Sequence, residues 1–339
     1  MPASDPTAAV DVIGVGNAIV DVIAHADDAF LDRHGLAKGA MTLIDADQAK
    51  ALYAAMGPGT EKSGGSAANT IAGLASFGGS AAFVGKVRDD QLGSIFAHDI
   101  GALGVRFATP MAPAGGEPAT ARCLVFVTPD AQRTMCTFLG VSVELGPQDI
   151  SEAQIGAAQV TYLEGYLWDP QDAKAAMRKA IAAAKSAGRR VAFTLSDAFC
   201  VDRHRAEFLD LIAGDVDVLF ANEAEILSLY QVDSFDAALQ QVRGHAEIVA
   251  LTRSEKGSVV LSGDEVHVID ASPVARVVDT TGAGDLYAAG FLHGLTRGAG
   301  LADCGRLGSL AAAEVIQHIG ARPETSLADL ARANGLAKT

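Results

Sequence analysis

Arg276 to Gly290 reads R-V-V-D-T-T-G-A-G-D-L-Y-A-A-G, and the organisation of the chain follows from how this stretch folds. Val277 and Val278 predict a short strand, Gly282-Ala283-Gly284 a tight turn, and the residues from Asp285 onward a helix. Glycines on either side of one alanine let the backbone approach a bulky ligand. The first helical turn then points unpaired N–H groups outward, with the positive end of the helix dipole behind them. Such a place binds anions, phosphate above all. A carboxylate beside a bound anion is costly, which points to a chemical role for Asp285. That role is to accept the proton of an attacking hydroxyl while the amides hold a transferring phosphoryl group. Taken alone, G-A-G-D also fits a plain turn with an acidic helix start.

The chain has 339 residues, 49% of them hydrophobic and 20% charged, enough to bury one large α/β core or two ordinary ones. Its 26 basic against 41 acidic side chains give a net charge of −15, which argues against nucleic acid and anionic membrane as partners. A nucleotide remains compatible, because local amides and a metal ion can bind one within an acidic protein. Cys123, Cys136, Cys200 and Cys304 are widely spaced without a C-x-x-C, so neither a zinc site nor a disulfide framework is expected, and the thiols read as reduced ones of a cytoplasmic protein. Met1 to Ala9 reads as a frayed tail with no basic residue ahead of an apolar stretch, and no apolar run is long enough to span a bilayer.

In chain order, Val10 to Val15 predicts a buried strand ending at G-V-G-N. Ile19 stands where a dinucleotide-binding motif needs its third glycine. Residues 24 to 46 are polar and broken, which suits an insert rather than a core βα unit. Lys62 to Thr70, K-S-G-G-S-A-A-N-T, sets Gly64 and Gly65 ahead of a helix, for which Ser66 is also a cap candidate. Gly85-Lys86 is no P-loop, since five residues separate Gly79 from Gly85 and Val87 replaces the required hydroxyl. Cys123 to Val127 and Thr134 to Leu139 flank T-P-D-A-Q-R and predict a β-hairpin with Arg133 at its tip. From Val160 onward strands and helices alternate through Tyr230, indicating a parallel sheet covered on both faces, with functional groups at the strands' carboxyl ends. At one such end Asn222 and Glu225 have the spacing of a capping box.

These motifs, in this order from Asn17 to Pro323, resemble those of the ribokinase/PfkB family of sugar and nucleoside kinases, whose signature D-T-x-G-A-G-D is matched from Asp279 through Asp285. The resemblance implies a ribokinase-like three-layer α/β sandwich over residues 1–339, with a mostly parallel central sheet. It also implies a small β lid inserted from about 18–48 and 104–140. It implies an ATP-dependent phosphotransferase with an alcohol acceptor, Asp285 as catalytic base, and the Gly282, Ala283 and Gly284 amides as anion hole. Asn17 and Asp21 match an N-x-x-x-D whose carboxylate bonds two sugar hydroxyls, and Gly64, Gly65 and Asn69 match the motif that lies against the acceptor. Phe138 is expected to wall the acceptor site. Asn222, Thr252, Gly257 and Arg133 are expected around the nucleotide, and the Leu307–Gln317 and His318–Pro323 segments beside its adenine. Glu225 is implied to act on Mg²⁺ through water, and Asp279 and Thr281 to bind a monovalent cation such as K⁺. G-N-A-I-V-D, T-F-L-G, E-G-Y-L-W-D and G-A-R-P look most like adenosine kinase-type members, with Phe138, Tyr166 and Trp168 available to stack a purine. A ribokinase-like or fructokinase-like sugar kinase is the second expectation, and a non-catalytic sugar or nucleotide sensor the remote one. The partners implied are ATP and a small nucleoside or sugar, in a monomer or a homodimer paired through the lid.

Overall fold

Apolar runs such as V-D-V-I-G-V, V-T-Y-L and I-V-A-L are too short for helices and too continuously hydrophobic for surface strands, so they form the middle of a sheet covered on both faces. In the computed structural model, which describes residues 9–130 and 132–336, the strands are β1 (Val10–Val15), β2 (Ile19–His25), β3 (Met41–Leu43), β4 (Gly59–Gly64), β5 (Ala81–Val84), β6 (Arg106–Phe107), β7 (Ala121–Val127), β8 (Arg133–Phe138), β9 (Ala158–Glu164), β10 (Arg190–Thr194), β11 (Val218–Asn222), β12 (Ile248–Thr252), β13 (Ser258–Ser262) and β14 (Glu265–Ile269). Nine of them make one sheet in the order β14-β13-β12-β11-β10-β9-β1-β5-β6, parallel except at the β12–β13 and β13–β14 pairs. The frayed tail expected for Met1 to Ala9 lies, apart from Ala9, outside the described residues.

Side chains alternate across this sheet and feed two cores. On one face Ile13, Leu163, Phe193 and Leu219 pack with Trp168 and Phe208. On the other, Val12, Tyr162, Phe220 and Ala250 meet Ile71, Phe96 and Phe291 from the Ser66–Ser76, Gln91–Ala102 and Ala283–Thr296 helices. The result is the expected three-layer arrangement. No helix among the described residues is long and apolar enough to cross a membrane.

The remaining five strands form a second, smaller sheet, β3-β8-β7-β2-β4. The chain passes from one sheet to the other at Gly16-Asn17-Ala18, so β2 is a direct continuation of β1. The boundaries expected for the insert shift accordingly: β4 belongs to the small sheet although it lies beyond 18–48, and β6, inside 104–140, pairs with β5 in the large sheet. One face of the small sheet carries Val22, Leu124, Phe126 and Cys136 against Phe30, Leu31 and Leu52 of two short helices. The opposite face presents Ile19, Cys123, Val125 and Met135.

Val277 and Val278 form no strand. Val277 is 60% exposed, and the amides of Val278 and Asp279 both donate to the Ile316 carbonyl, so the stretch is a loop strapped to the end of the Leu301–Val315 helix. Two β-branched residues without a neighbouring strand are not enough to make one. The helix that follows begins at Ala283, two residues before Asp285.

Candidate active site

The strand ends and the second face of the small sheet enclose a cavity of about 910 Å³. It is lined among others by Asn17, Asp21, Gly65, Asn69, Asn222, Glu225, Thr252, Gly282, Ala283, Gly284 and Asp285. Residues widely separated in sequence thus meet in one place, and each is fixed by a local cause.

Gly282 adopts a left-handed φ of 79° and caps the Ala283–Thr296 helix, a position that favours glycine. The amides of Gly282 and Gly284 have no partner among the described residues, whereas the Ala283 amide donates to the Thr280 carbonyl at 3.2 Å. Of the expected anion-hole donors, Ala283 is therefore already committed to the turn. Asp285 lies in the first helical turn. Its two oxygens accept from Ser66 Oγ at 2.6 Å and Asn69 Nδ2 at 3.0 Å. Burial pushes its carboxyl up to about 6, against the opposing pull of Ser66, Asn69 and Arg322. A carboxylate with that value is charged at neutral pH yet basic enough to take a proton.

Ser66 thus does not cap its helix. Gly65 is the cap residue, at φ 97°, and the serine hydroxyl is spent on Asp285. Close approach favours glycine at both positions, against a side chain at Gly64 and against backbone at Gly65. A Cβ on Gly64 would lie 2.5 Å from Asp21 Oδ2, and one on Gly65 would lie 2.2 Å from the Asn17 carbonyl oxygen. Asp21 is carried on β2, and burial pushes its carboxyl up to about 6 despite the nearby Arg133 and Arg322.

Glu164, at the end of β9, is a central residue that sequence reasoning did not single out. Fully buried, it accepts from the Asn17 amide at 2.8 Å, Asn17 Nδ2 at 2.7 Å and the Ala67 amide at 2.7 Å. One carboxylate thereby ties the β1–β2 junction to the start of the Ser66–Ser76 helix. Burial pushes it up to about 7, against the three hydrogen bonds that favour its charged form. A lone glutamate closing the apolar run V-T-Y-L is the signal that marks it. Arg322 was likewise missed.

Several expectations are corrected. Phe138 does not face the cavity: along β8, Met135 and Thr137 line it, and alternation turns Phe138 to the other side, under the Arg122 guanidinium at 5.9 Å. Trp168 is fully buried in the core and donates to Glu207. Tyr166 does line the cavity, but its hydroxyl is tied to the Ser196 carbonyl at 3.2 Å. The wall near Asp21 is therefore aliphatic and sulfur-bearing, with Ile19, Met41, Cys123, Met135 and Leu139. Gly257 is not among the lining residues. Its φ of 80° and a Cβ position 1.9 Å from the Ile269 carbonyl oxygen make it a turn residue. Ser254, where the resembling loops carry glycine, keeps a left-handed φ of 51°. The 307–317 segment is largely core, and the loop after it reaches Asp279, Gly282 and Asn69 through Gly320, Ala321 and Arg322.

Arg133 is no exposed hairpin tip. Its Nη1 donates to Asp279 Oδ2 and Thr281 Oγ1, bridging the small sheet to the D-T-T-G-A-G-D loop, with side-chain exposures of 9% and 4% for the ion pair. Asp279 also accepts from the amides of Thr281 at 3.0 Å and Gly320 at 2.9 Å. Burial opposes its charge, but Arg133 and these amides outweigh burial and hold the carboxyl below the usual range. The two side chains expected to ligate K⁺ are thus committed to a guanidinium and do not fit a monovalent cation in this arrangement.

Asn222 and Glu225 form the complete capping box, the asparagine accepting from the Glu225 amide and the glutamate from Asn222 N and Nδ2 at 2.9 and 2.6 Å. Burial pushes Glu225 up to about 7. Among the described residues no three acidic, histidine or cysteine side chains are grouped to hold a metal directly. The donors present fit a hydrated Mg²⁺ carried by nucleotide phosphates and met by Glu225 through water. All four cysteines are buried and free.

Residues 40–327 match the sequence profile described as pfkB family carbohydrate kinase. An uncharacterized sugar kinase of Archaeoglobus fulgidus is 29% identical over 255 residues, 74% of this chain and 96% of its own length. A crystal structure of a probable sugar kinase from Rhizobium etli CFN 42 superposes with a TM-score of 0.90 at 53% identity, covering 97% of this chain and 99% of its own. The adenosine kinase of Sinorhizobium meliloti superposes equally well, at 0.90 and 54% identity over 96% of this chain and 100% of its own.

Proposed function

The chain belongs to the pfkB family of carbohydrate kinases, phosphotransferases with an alcohol group as acceptor, and from that premise we propose that it phosphorylates the 5′-hydroxyl of a nucleoside, adenosine foremost, giving AMP. The observation that carries the reading is Asp285, held by Ser66 and Asn69 beside the unpartnered amides of Gly282 and Gly284, in one cavity with Asp21. Residues 1–339 then act as one kinase unit with the small sheet as its lid.

In this mechanism Asp21 accepts from the acceptor's vicinal hydroxyls and orients the primary hydroxyl toward Asp285. That oxygen forms a bond to the γ-phosphorus of ATP as the bond from phosphorus to the β,γ-bridging oxygen breaks. Asp285 takes the hydroxyl proton and ADP leaves with the bridging oxygen. The free amides carry charge that develops on the transferring group. Mg²⁺, when bound with the nucleotide, neutralises phosphate charge. Glu164 keeps Asn17 and the Ser66–Ser76 helix in register, so Glu164→Gln, which turns an amide N–H toward an existing donor, should raise the acceptor KM about tenfold. An acceptor titration of this variant against wild type checks it, and an unchanged KM would remove Glu164 from that role.

A sugar acceptor is the second reading. The aliphatic, sulfur-bearing wall of Ile19, Met41, Cys123, Met135 and Leu139 favours it, as does the 53% identity to a protein described as a probable sugar kinase. ATP consumption with Mg²⁺ across adenosine, guanosine, inosine, cytidine, ribose, fructose and fructose 6-phosphate separates the two. The nucleoside reading requires the highest kcat/KM with adenosine; a preference for a free sugar would replace it.

A further inference from the structure

The loop after the Leu301–Val315 helix is held unusually firmly. Glu314 Oε1 accepts from the amides of Glu324 and Thr325, both at 3.0 Å, and from Thr325 Oγ1 at 3.1 Å, while Gly320 N is tied to Asp279. Arg322 projects from this loop, and its Nε donates to Asn69 Oδ1 at 2.7 Å. An arginine has only donors, so the amide oxygen of Asn69 must face it, and the NH₂ end is thereby turned to Asp285 Oδ2 at 3.0 Å. Nη1 and Nη2 of Arg322 are buried without a hydrogen-bond partner among the described residues. Leaving guanidinium donors unpaired in the interior is costly, and here the charge itself is what the site uses.

We propose that Arg322 is a positioning residue for the phosphoryl transfer: its Nε fixes the Asn69 amide toward the base Asp285, and its guanidinium sets a permanent positive charge beside Asp21 and Asp285. The inference rests on the kinase reading above and on Asp285 as its base. Burial lowers Arg322 to about 10, so it remains charged at neutral pH, and Asp21, Asp99 and Asp285 all favour that charge. Asp21 also senses Arg133, Asp279 and Asp285. Glu164 and Glu225, in the same cavity, also sense the charge of Asp285. Arg322 is the cation that counts at Asp285, whereas Asp21 has Arg133 as well. Loss of the Arg322 charge should therefore act on kcat, through the base, more than on the acceptor KM.

The test is the pH profile of kcat and KM from about pH 5 to about pH 9 for wild type, Arg322→Gln and Arg322→Lys, using the acceptor that wild type phosphorylates best. Without the positive charge the base is harder to deprotonate, so the acidic limb of kcat for Arg322→Gln should move up by about one pH unit. Its turnover would then be about fivefold below wild type near pH 6, approaching about tenfold at lower pH, with convergence at alkaline pH. Arg322→Lys keeps the charge and should restore the limb, with a plateau a few-fold lower because the fixed fork to Asn69 is lost. A limb unmoved in Arg322→Gln, or equally moved in both variants, would overturn the proposal. Should the glutamine variant fail to fold, a shifted limb in the lysine variant alone would do the same. Wild type without turnover on any acceptor would instead bring down the kinase reading, so the two failures are distinct.

Discussion

Asp285→Asn should lower kcat by on the order of 10²–10⁴-fold while leaving ATP binding nearly intact, and should make the protein more stable at alkaline pH. The kinetic half follows from the loss of the proton acceptor with its neighbours Ser66 and Asn69 still in place. The stability half follows from burial. The Asp285 carboxyl rises from 3.8 to about 6 on folding, so its favourable contribution is complete below pH 3.8 and is lost as pH rises through about 6. Above that, the folded protein carries an unfavourably placed charge that asparagine lacks. Part of the side chain meets the cavity, where water screens it, so the gain is about 1–2 kcal/mol rather than the full shift. Steady-state kinetics and thermal unfolding at alkaline and mildly acidic pH measure both halves. In wild type the same value sets the pH dependence: kcat/KM should fall as pH drops through about 6, where Asp285 becomes protonated. Turnover of the asparagine variant within tenfold of wild type would remove Asp285 from the role of base.

Gly65→Ala should damage both stability and the site through a single methyl group. At φ 97° an L-residue is strained, and the new Cβ would stand 2.2 Å from the carbonyl oxygen of Asn17, a backbone atom that cannot rotate away. The Ser66–Ser76 helix has to back off, taking Ser66 and Asn69 from Asp285 and Ala67 from Glu164. Strain and overpacking together should cost about 2–5 kcal/mol, with acceptor saturation lost. Gly101→Ala is the control. That glycine lies within the Gln91–Ala102 helix with nothing within 4 Å of its would-be Cβ, so the substitution should stabilise by about 0.5–1 kcal/mol and leave kinetics unchanged. Chemical denaturation and acceptor titration of the pair separate a site-specific clash from a general intolerance of glycine replacement.

Where a structural feature lies on consecutive residues, the sequence was enough. The D-T-T-G-A-G-D run carries its turn, its helix start and its carboxylate together, and Asn222 with Glu225 declares a helix cap by spacing alone. The alternation after Val160 fixed the covered parallel sheet for the same reason, since hydrophobic period is a local property. What stayed hidden depends on pairing across the chain. Glu164 meets Asn17 at a separation of 147 residues, Ser66 meets Asp285 at 219, and Arg322 meets Asn69 at 253, with no local pattern to announce them. Phe138 shows a subtler limit. Its strand was legible, but which face it takes depends on a register, Arg122 opposite Phe138, that alternation alone does not supply. Arg133 was expected beside the nucleotide, and nothing local announces its partner Asp279, 146 positions away.

The ion pair between Arg133 and Asp279 joins the small sheet to the D-T-T-G-A-G-D loop, nearly out of contact with water. Separating such a pair gives up their mutual attraction before water reaches both charges, so movement of the small sheet away from this loop should carry a barrier, on the microsecond-to-millisecond scale of domain motions. A ligand whose entry requires that separation should wait for it. Its observed association rate should rise with concentration only until it meets the opening rate and then level off, a ceiling that belongs to the protein and not to the ligand.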